Sequence, residues 1–281
     1  MVSPSEAADE AADEMVDDVV KAVLASRRYR SVHPATVRRL AQRTLSRGEH
    51  RRPVDAIKAT KRALHQIFGA YLPQPPRYDR WLAALRDAPD PAAQRDVLRR
   101  AMVQHASTKE RLDYLEALAA ALVGRLGSPR SVLDVACGLQ PLASPWWLDP
   151  GVEYHAWDID RALVQFVGTC LELLGHRPHA AVVDLLGSPP WPSTEVALVL
   201  KTLPCLEQQQ AGASDALLGS IPAPRLVVSF PTRSLGGRAK GMGRTYADRF
   251  EALLSARGWS ADRFEVGPEL VYVVDRRAPE G

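Results

Sequence analysis

The chain has 281 residues, 46% hydrophobic and 25% charged, which is typical of a globular protein with one large domain or two modest ones. It has no run of about 18 apolar residues to span a membrane, and its first eighteen residues carry acids but no basic residue, which argues against a secretory signal. The three cysteines, Cys137, Cys170 and Cys205, form no CxxC pair or His-rich cluster. We therefore expect no disulfide framework, no metal site and a cytoplasmic location.

The net charge of +3 conceals a strong asymmetry along the chain. Residues 21–62, named here the basic block, hold thirteen Lys or Arg and two acids, a local balance of +11. A solvated helical face is the ordinary interpretation of a charge run, but an excess of one sign favours contact with a polyanion such as a phosphate backbone. The candidate contacts are Arg27, Arg28, Arg38, Arg39, Arg43, Arg47, Arg51, Arg52, Lys58, Lys61 and Arg62.

The first part of the chain predicts a separate helical module over residues 1–105. Apolar residues recur at helical spacing from Met15 to Leu24. Pro34 and Pro53 stand where a proline fits the first turn of a helix, and the prolines at 73–76 end the second of these helices. Two further short helices are expected before residue 105, over 78–85 and 92–102.

The second part, residues 106–281, predicts an α/β domain. A long amphipathic helix is expected over 109–126, after which short apolar runs alternate with helical stretches. Such alternation is typical of a doubly wound, largely parallel Rossmann-like sheet. The expected strands are 131–135, 152–157, 180–183, 196–200, 226–230 and 270–274, and the expected helices between them are 162–174, 208–218 and 246–257.

Three successive predicted strands end in aspartate. The first ends in the loop from Asp134 to Gly138, the second at Asp158 and the third at Asp184-Leu185. In a doubly wound sheet these ends border the ligand site. The loop lacks the GxGxxG pattern that binds the pyrophosphate of a dinucleotide. The chain also lacks a P-loop lysine motif. Acids suited to an amino group, ribose hydroxyls and an adenine amine favour S-adenosylmethionine (SAM) over a dinucleotide.

Five longer motifs carry further information. They are HASTKER at 105–111, SVLDVACGLQPL at 131–142, YHAWDID at 154–160, LKTLPCLEQQ at 200–209 and KATKRALH at 58–65. These motifs resemble those of one family, the aminoglycoside-resistance 16S rRNA methyltransferases, and within it the guanine-N7 branch of aminoglycoside-producing actinomycetes. Ala136 stands where methyltransferases commonly have glycine, which is itself a feature of this branch.

The resemblance implies a class I SAM-methyltransferase fold and a role for each site residue. The segment from His105 to Arg111 would close over the methionine end of SAM, with the Arg111 guanidinium facing the carboxylate. Asp158 would hold the ribose, and Asp184 with Leu185 the adenine. The expected cofactor-binding residues are Phe68, His105, Ala106, Ser107, Arg111, Asp134, Ala136, Gly138, Asp158, Ile159, Asp184, Leu185, Leu200 and Gln209.

Guanine N7 bears a lone pair and no proton, so methylation there requires no general base and we expect no catalytic base. Lys201 begins the loop that would face the target base, and it is expected to position the base or a phosphate. Cys205 is discounted as a nucleophile because no suitable base neighbours it in sequence. A second basic stretch is either a mobile RNA-contacting loop or an ordinary connection; it contains Arg233, Arg238 and Lys240.

The resemblance implies an enzyme acting on the decoding-site guanosine of 16S rRNA within the 30S subunit, which would confer aminoglycoside resistance. Nothing in the sequence suggests an obligate dimer, so we expect a monomer. Three alternatives stay open. Methylation of the neighbouring adenine N1 commonly needs aromatic residues, and the loop 201–205 has none. A small-molecule methyltransferase would not need the basic block. A SAM-fold RNA-binding assembly factor would bind SAM without turnover.

Overall fold

The computed structural model describes residues 4–46, 52–232 and 242–276. Its helices are α1 Pro4–Leu24, α2 Pro34–Ser46, α3 Pro53–Leu64, α4 Tyr78–Arg86, α5 Pro91–Met102, α6 Ala106–Arg111, α7 Leu115–Leu126, α8 Arg161–Leu173, α9 Leu203–Glu207, α10 Ala213–Ser220 and α11 Met242–Arg257. One π-helical turn, His65–Gly69, and two 3-10 segments, Leu112–Tyr114 and Gln140–Trp146, complete the helical structure of these residues.

One seven-stranded sheet forms the centre of the molecule. Its order is β3-β2-β1-β4-β5-β7-β6; β1 to β5 pair in parallel, and β7 runs antiparallel between β5 and β6. This is the doubly wound class I methyltransferase fold expected from the sequence. The strands are β1 Ser131–Val135, β2 Glu153–Asp158, β3 Arg177–Val182, β4 Val196–Leu200, β5 Arg225–Pro231, β6 Ser260–Val266 and β7 Glu269–Asp275.

The six predicted strands are confirmed with small changes at their ends, but β6 was not predicted. This strand lies at the edge of the sheet and is mostly exposed, so it lacks the apolar run that marks the others. Only Phe264 and Val266 pack against the core. Strand β6 is stabilised by its pairing with β7, which is a tertiary contact and not a local sequence preference.

Two predicted helices differ from the structure. The helix expected over 109–126 is two helices, α6 and α7, separated by a 3-10 turn that ends at Tyr114 with φ −134° and ψ 20°. The helix expected over 208–218 is confirmed only from Ala213, where α10 begins. Gly212, just before α10, has φ 77°, a left-handed conformation that glycine adopts without strain.

One apolar core joins the N-terminal helices to the sheet. Val19, Val37 and Leu64 of α1, α2 and α3 belong to the same buried cluster as Val132 of β1 and Leu198 of β4. The helices α4 and α5 pack on α8 and on the 3-10 segment after β1. The two parts divided at residue 105 thus pack against each other through buried side chains.

A backbone bridge also ties the N-terminal helices to the end of β2. The amide of His33 donates to the Ile159 carbonyl at 2.7 Å, and the amide of Arg161 donates to the Ser31 carbonyl at 2.9 Å. This bridge places the start of α2 beside Asp158, at the carboxyl edge of the parallel strands. Among the helices of the described residues, none is long and apolar enough to cross a bilayer.

Candidate functional site

A cavity that is open to solvent lies at the carboxyl ends of the parallel strands. Strand ends form its floor, and α2, the π-helical turn, the start of α6 and α9 form its walls. Its lining combines apolar side chains with carboxylate, guanidinium, ammonium and imidazole groups. The lining residues are Thr36, Arg39, Ile67, Phe68, Tyr71, His105, Ser107, Ala136, Asp158, Ile159, Leu163, Val183, Asp184, Leu185, Leu200, Lys201, Thr202, Cys205, Leu206 and Gln209.

The backbone is strained where β1 and β4 enter this cavity. Ala136 follows β1 with φ 50°, and Lys201 follows β4 with φ 57°; these are the non-glycine residues with positive φ in the described chain. Such conformations cost roughly 1–3 kcal/mol each and concentrate at functional sites. The Lys201 amide is held by the Ser229 carbonyl at 3.0 Å and hydroxyl at 3.1 Å, which fixes the turn.

Gly138 is required by space as well as by conformation. Its φ is 51°, and an added Cβ would lie 2.8 Å from the imidazole ring of His105. The loop after β1 therefore passes directly beneath the first residue of the HASTKER motif. This contact joins two motifs that are far apart in sequence.

Asp158, at the end of β2, is held by backbone donors. Its carboxylate accepts from the amides of Gly138 at 3.0 Å and Ile159 at 2.7 Å. Burial raises the pKa of Asp158 to about 6, although these hydrogen bonds oppose the shift. The carboxylate lines the cavity, where it can accept hydrogen bonds from hydroxyl groups of a ligand.

Asp184, which follows β3, is paired with an arginine of the basic block. Arg39 Nη2 donates to both carboxylate oxygens of Asp184, at 2.7 and 2.9 Å, and Nη1 donates to Gln209 Oε1 at 3.0 Å. Arg43, one turn further along α2, donates to the carbonyls of Gln208 and Gln209. The sequence predicts that Arg39 and Arg43 contact RNA. In the structure, both side chains contact the methyltransferase domain.

Arg111 and Glu269 form a buried ion pair behind the cavity wall. Their side chains are 2% and 0% exposed. Arg111 Nε and Nη2 donate to the two Glu269 oxygens at 3.0 and 2.7 Å, and Nη1 donates to Gln140 at 2.8 Å. Tyr114 and Ser229 also donate to Glu269. Burial alone would raise the pKa of Glu269, but Arg111 outweighs it and holds the pKa at about 2.

Glu269 also connects this pair to Lys201. The Lys201 ammonium lies 2.6 Å from a Glu110 oxygen and 3.5 Å from a Glu269 oxygen, and the side chain is 9% exposed. Sequence reasoning missed Glu269 because it begins β7, far along the chain, within no chemical motif. Its signal is an acid at the head of an otherwise apolar strand.

His105 and the cysteines are uncharged in this environment. Burial, with Arg111 nearby, lowers the pKa of His105 to about 4, and its Nδ1 lies 2.9 Å from the Ser107 hydroxyl. The Tyr71 hydroxyl lies 3.1 Å from Cys205 Sγ, and burial raises the pKa of the Cys205 thiol. A thiol rather than a thiolate is a poor nucleophile, which agrees with discounting Cys205.

Ten of the fourteen expected cofactor residues line the cavity, including Phe68 from the N-terminal part. Ala106, Arg111, Asp134 and Gly138 are not among the lining residues. Asp134 is 1% exposed and accepts from the Tyr154 hydroxyl at 2.8 Å, and burial raises its pKa to about 7. Lining residues that sequence reasoning did not identify are Thr36, Ile67, Tyr71, Leu163, Val183, Thr202 and Leu206.

The remaining basic residues have different surroundings. Arg28 donates to the Gly69 carbonyl at 2.7 Å, and Arg38 and Arg52 pair with Asp17 and Asp55. Five expected RNA contacts, Arg47, Arg51, Arg233, Arg238 and Lys240, lie outside the described residues. Among the described residues of the basic block, Lys61 is half-buried, and the exposed basic side chains are Lys21, Arg27, Arg28, Arg30, Arg38, Arg52, Lys58 and Arg62.

Comparisons with known proteins agree with this arrangement. The chain is 47% identical over 264 residues to a 16S rRNA (guanine(1405)-N(7))-methyltransferase of Frankia casuarinae, covering 91% of this chain and 92% of the relative. A protein of the same name from Micromonospora echinospora is 44% identical, covering 91% and 95%.

Solved structures and a family model extend the match to the fold. The 16S rRNA methyltransferase RmtF, in complex with S-adenosyl-L-homocysteine, has a TM-score of 0.81 and 37% identity, covering 94% of this chain and 99% of that one. The 16S rRNA methylase RmtB has a TM-score of 0.76 and 34% identity, covering 93% and 98%. The family model "Ribosomal RNA methyltransferase (FmrO)" matches residues 25–273. The chain therefore belongs to the FmrO family of ribosomal RNA methyltransferases.

Proposed function

We propose that the protein transfers a methyl group from SAM to N7 of guanine 1405 in 16S rRNA. The observation that carries this proposal is the cavity itself, where Asp158 and Asp184 stand at neighbouring strand ends in a chain 47% identical to a relative named for that reaction. The substrate is the assembled 30S subunit, and the enzyme acts as a cytoplasmic monomer. A methyl group and a fixed positive charge on N7 would obstruct aminoglycosides that bind the decoding site.

The cavity fits the adenosine part of SAM. Asp158 lines the cavity and is assigned to the ribose hydroxyls, and Asp184, which also lines it, is assigned to the exocyclic amine of adenine. Ile159, Leu185 and Leu206 supply an apolar wall for the base. SAM supplies an electrophilic methyl on its sulfonium; the protein's task is to hold donor and acceptor in line.

Arg39 belongs, in this proposal, to the adenine end of the cofactor site and not to the RNA surface. Its side chain is 26% exposed, and its Nη2 donates to both oxygens of the Asp184 carboxylate, which is 11% exposed. The hydrogen bond from Arg39 to Gln209 fixes a second lining residue. An N-terminal helix thus completes the adenine subsite.

The methionine end is assigned to the segment from His105 to Arg111. An arginine has five N–H donors, of which Arg111 uses two on Glu269 and one on Gln140. Two N–H donors of Arg111 remain for the carboxylate of SAM. Glu269 keeps the planar fork in one orientation, and this positioning is the role we assign to the buried pair.

The target base is assigned to the side of the cavity bordered by Lys201. Guanine N7 requires no deprotonation, so neither His105, a weak base with a pKa of about 4, nor the Cys205 thiol has to accept a proton. Lys201, held by Glu110 and Glu269, positions the base or its phosphate. Exposed residues of the basic block supply phosphate contacts that recognise the shape of the folded RNA.

A transfer assay tests this function. Purified 30S subunits, 50S subunits and protein-free 16S rRNA are incubated with the enzyme and methyl-labelled SAM. We expect label in the 30S sample alone, and expression of the protein should raise aminoglycoside resistance in a sensitive bacterium. SAM binding without methyl transfer to 30S subunits would contradict the proposal and favour a non-catalytic assembly factor.

A further inference from the structure

Three potential metal ligands meet on the sheet, away from the cofactor cavity. Glu153 and His155 lie on β2 and His179 on β3. His155 Nε2 lies 2.9 Å and His179 Nε2 lies 3.5 Å from Glu153 Oε1, and one ligand atom from each residue lies within 4.8 Å of the others. His155 comes three residues before Asp158, which is roughly 10 Å along the strand.

The register of the sheet creates this cluster. His155 and His179 are direct partners across β2 and β3, and Glu153 is two residues before His155 on the same face. The imidazole rings stack with centroids 4.6 Å apart and an interplanar angle of 17°. No spacing in the sequence predicts this site, because its two histidines come from different strands.

The distances are close to those that a tetrahedral ion needs. Zinc bonds to His nitrogen and carboxylate oxygen are about 2.0–2.2 Å long, so neighbouring ligand atoms lie about 3.3 Å apart. The two contacts of Glu153 bracket that separation. Small rotations of the imidazoles, of which His155 is 13% and His179 55% exposed, bring the third separation into range.

We propose that Glu153, His155 and His179 bind one Zn²⁺ ion, with water in the fourth position. Two imidazole nitrogens and one carboxylate oxygen suit zinc and not the oxygen-seeking Mg²⁺ or Ca²⁺. The ion would link β2 to β3, which is an edge strand of the sheet. Its binding would stabilise the folded state against strand separation at this edge.

Calorimetric titration of the metal-free full-length protein with ZnCl₂ tests the site, together with thermal unfolding in Zn²⁺ or Mg²⁺. We expect one equivalent of Zn²⁺ to bind and Tm to rise with zinc but not with magnesium. His179→Gln should weaken zinc binding at least tenfold, and its exposed position should leave folding intact. His65→Gln, an exposed histidine outside the cluster, is the matched control and should bind zinc as the wild type does.

Two results would overturn the proposal. One is the absence of stoichiometric zinc binding to the wild-type protein. The other is zinc binding of unchanged strength in both His179→Gln and His155→Gln, which would place the ion elsewhere. Because both readouts measure metal binding and not methyl transfer, they are independent of the proposed function.

Discussion

At the scale of single residues, the site depends on charges that the fold keeps paired. Arg111 and Glu269 are almost fully buried, and removing one partner of such a pair leaves an uncompensated charge. Asp184 is satisfied by Arg39, and Asp158 by backbone amides. Each of these arrangements has a measurable consequence.

Glu269→Gln should lower the free energy of unfolding by about 3–5 kcal/mol, because Arg111 would stay charged without a carboxylate. Denaturant unfolding measures this. The pKa of Glu269 lies below its ordinary value, so its contribution to stability is complete above pH ~4.5 and is lost as pH falls towards 2. Glu195→Gln, which breaks an exposed pair with Arg130, is the control and should change stability by less than about 1 kcal/mol. Equal effects of the two substitutions would refute this account of the pair.

Arg39→Ala should weaken SAM binding about tenfold or more, because Asp184 and Gln209 lose the donor that orients them. Isothermal titration with SAM measures the change, and 30S binding should change little. Arg38→Ala is the matched control on the same helix: Arg38 is 44% exposed and pairs with Asp17, so SAM affinity should stay unchanged. If Arg39→Ala binds SAM normally but loses 30S affinity, Arg39 belongs to the RNA surface after all.

SAM affinity should fall as pH decreases through about 6, the pKa to which burial raises Asp158. Protonation removes the acceptor that the ribose hydroxyls need. The effect on folding has the opposite sign, since a buried carboxylate with a raised pKa gains stability on protonation as pH falls from about 6 to 4. Binding titrations from pH 5 to 8 measure the trend, and Asp158→Asn should abolish it. A flat wild-type profile would disprove this assignment.

At the scale of elements, the apolar strands were predictable and the polar or interrupted elements were not. The apolar sequence VALVL of β4 predicts a buried strand, whereas the exposed β6 forms a strand by pairing with β7. The break between α6 and α7 is not marked by proline or glycine. Tyr114 leaves helical geometry there and donates to Glu269, a partner 155 residues away that local pattern cannot reveal.

Gly138→Ala tests the contact between the first loop and the HASTKER segment. A Cβ there meets the His105 ring and the φ of 51° is unfavourable for alanine, so we expect a loss of about 1–3 kcal/mol in stability together with weaker SAM binding. Gly124→Ala, in α7 with open space around the added atom, should instead stabilise by about 0.5–1 kcal/mol. Thermal and denaturant unfolding compare the two, and a neutral Gly138→Ala would contradict the proposed contact.

At the scale of the whole molecule, the fold and the three strand-end acids followed from sequence patterns. The placement of Arg39 did not, because a charge count along α2 does not distinguish its inward face from its outward face. This helix contributes side chains to the lining of the cavity and also lies within the basic block. The N-terminal part therefore participates in both proposed binding events, and this coupling of RNA and cofactor sites is the main addition to the sequence-based account.

The central claim concerns the atom that is methylated, and mapping the modified base tests it most directly. After incubation of 30S subunits with enzyme and SAM, 16S rRNA is treated with borohydride and aniline, which cleave at N7-methylguanine. We predict a single enzyme-dependent break at guanine 1405, absent without SAM. A methyl group on adenine N1, or breaks at other guanines with position 1405 intact, would contradict the account.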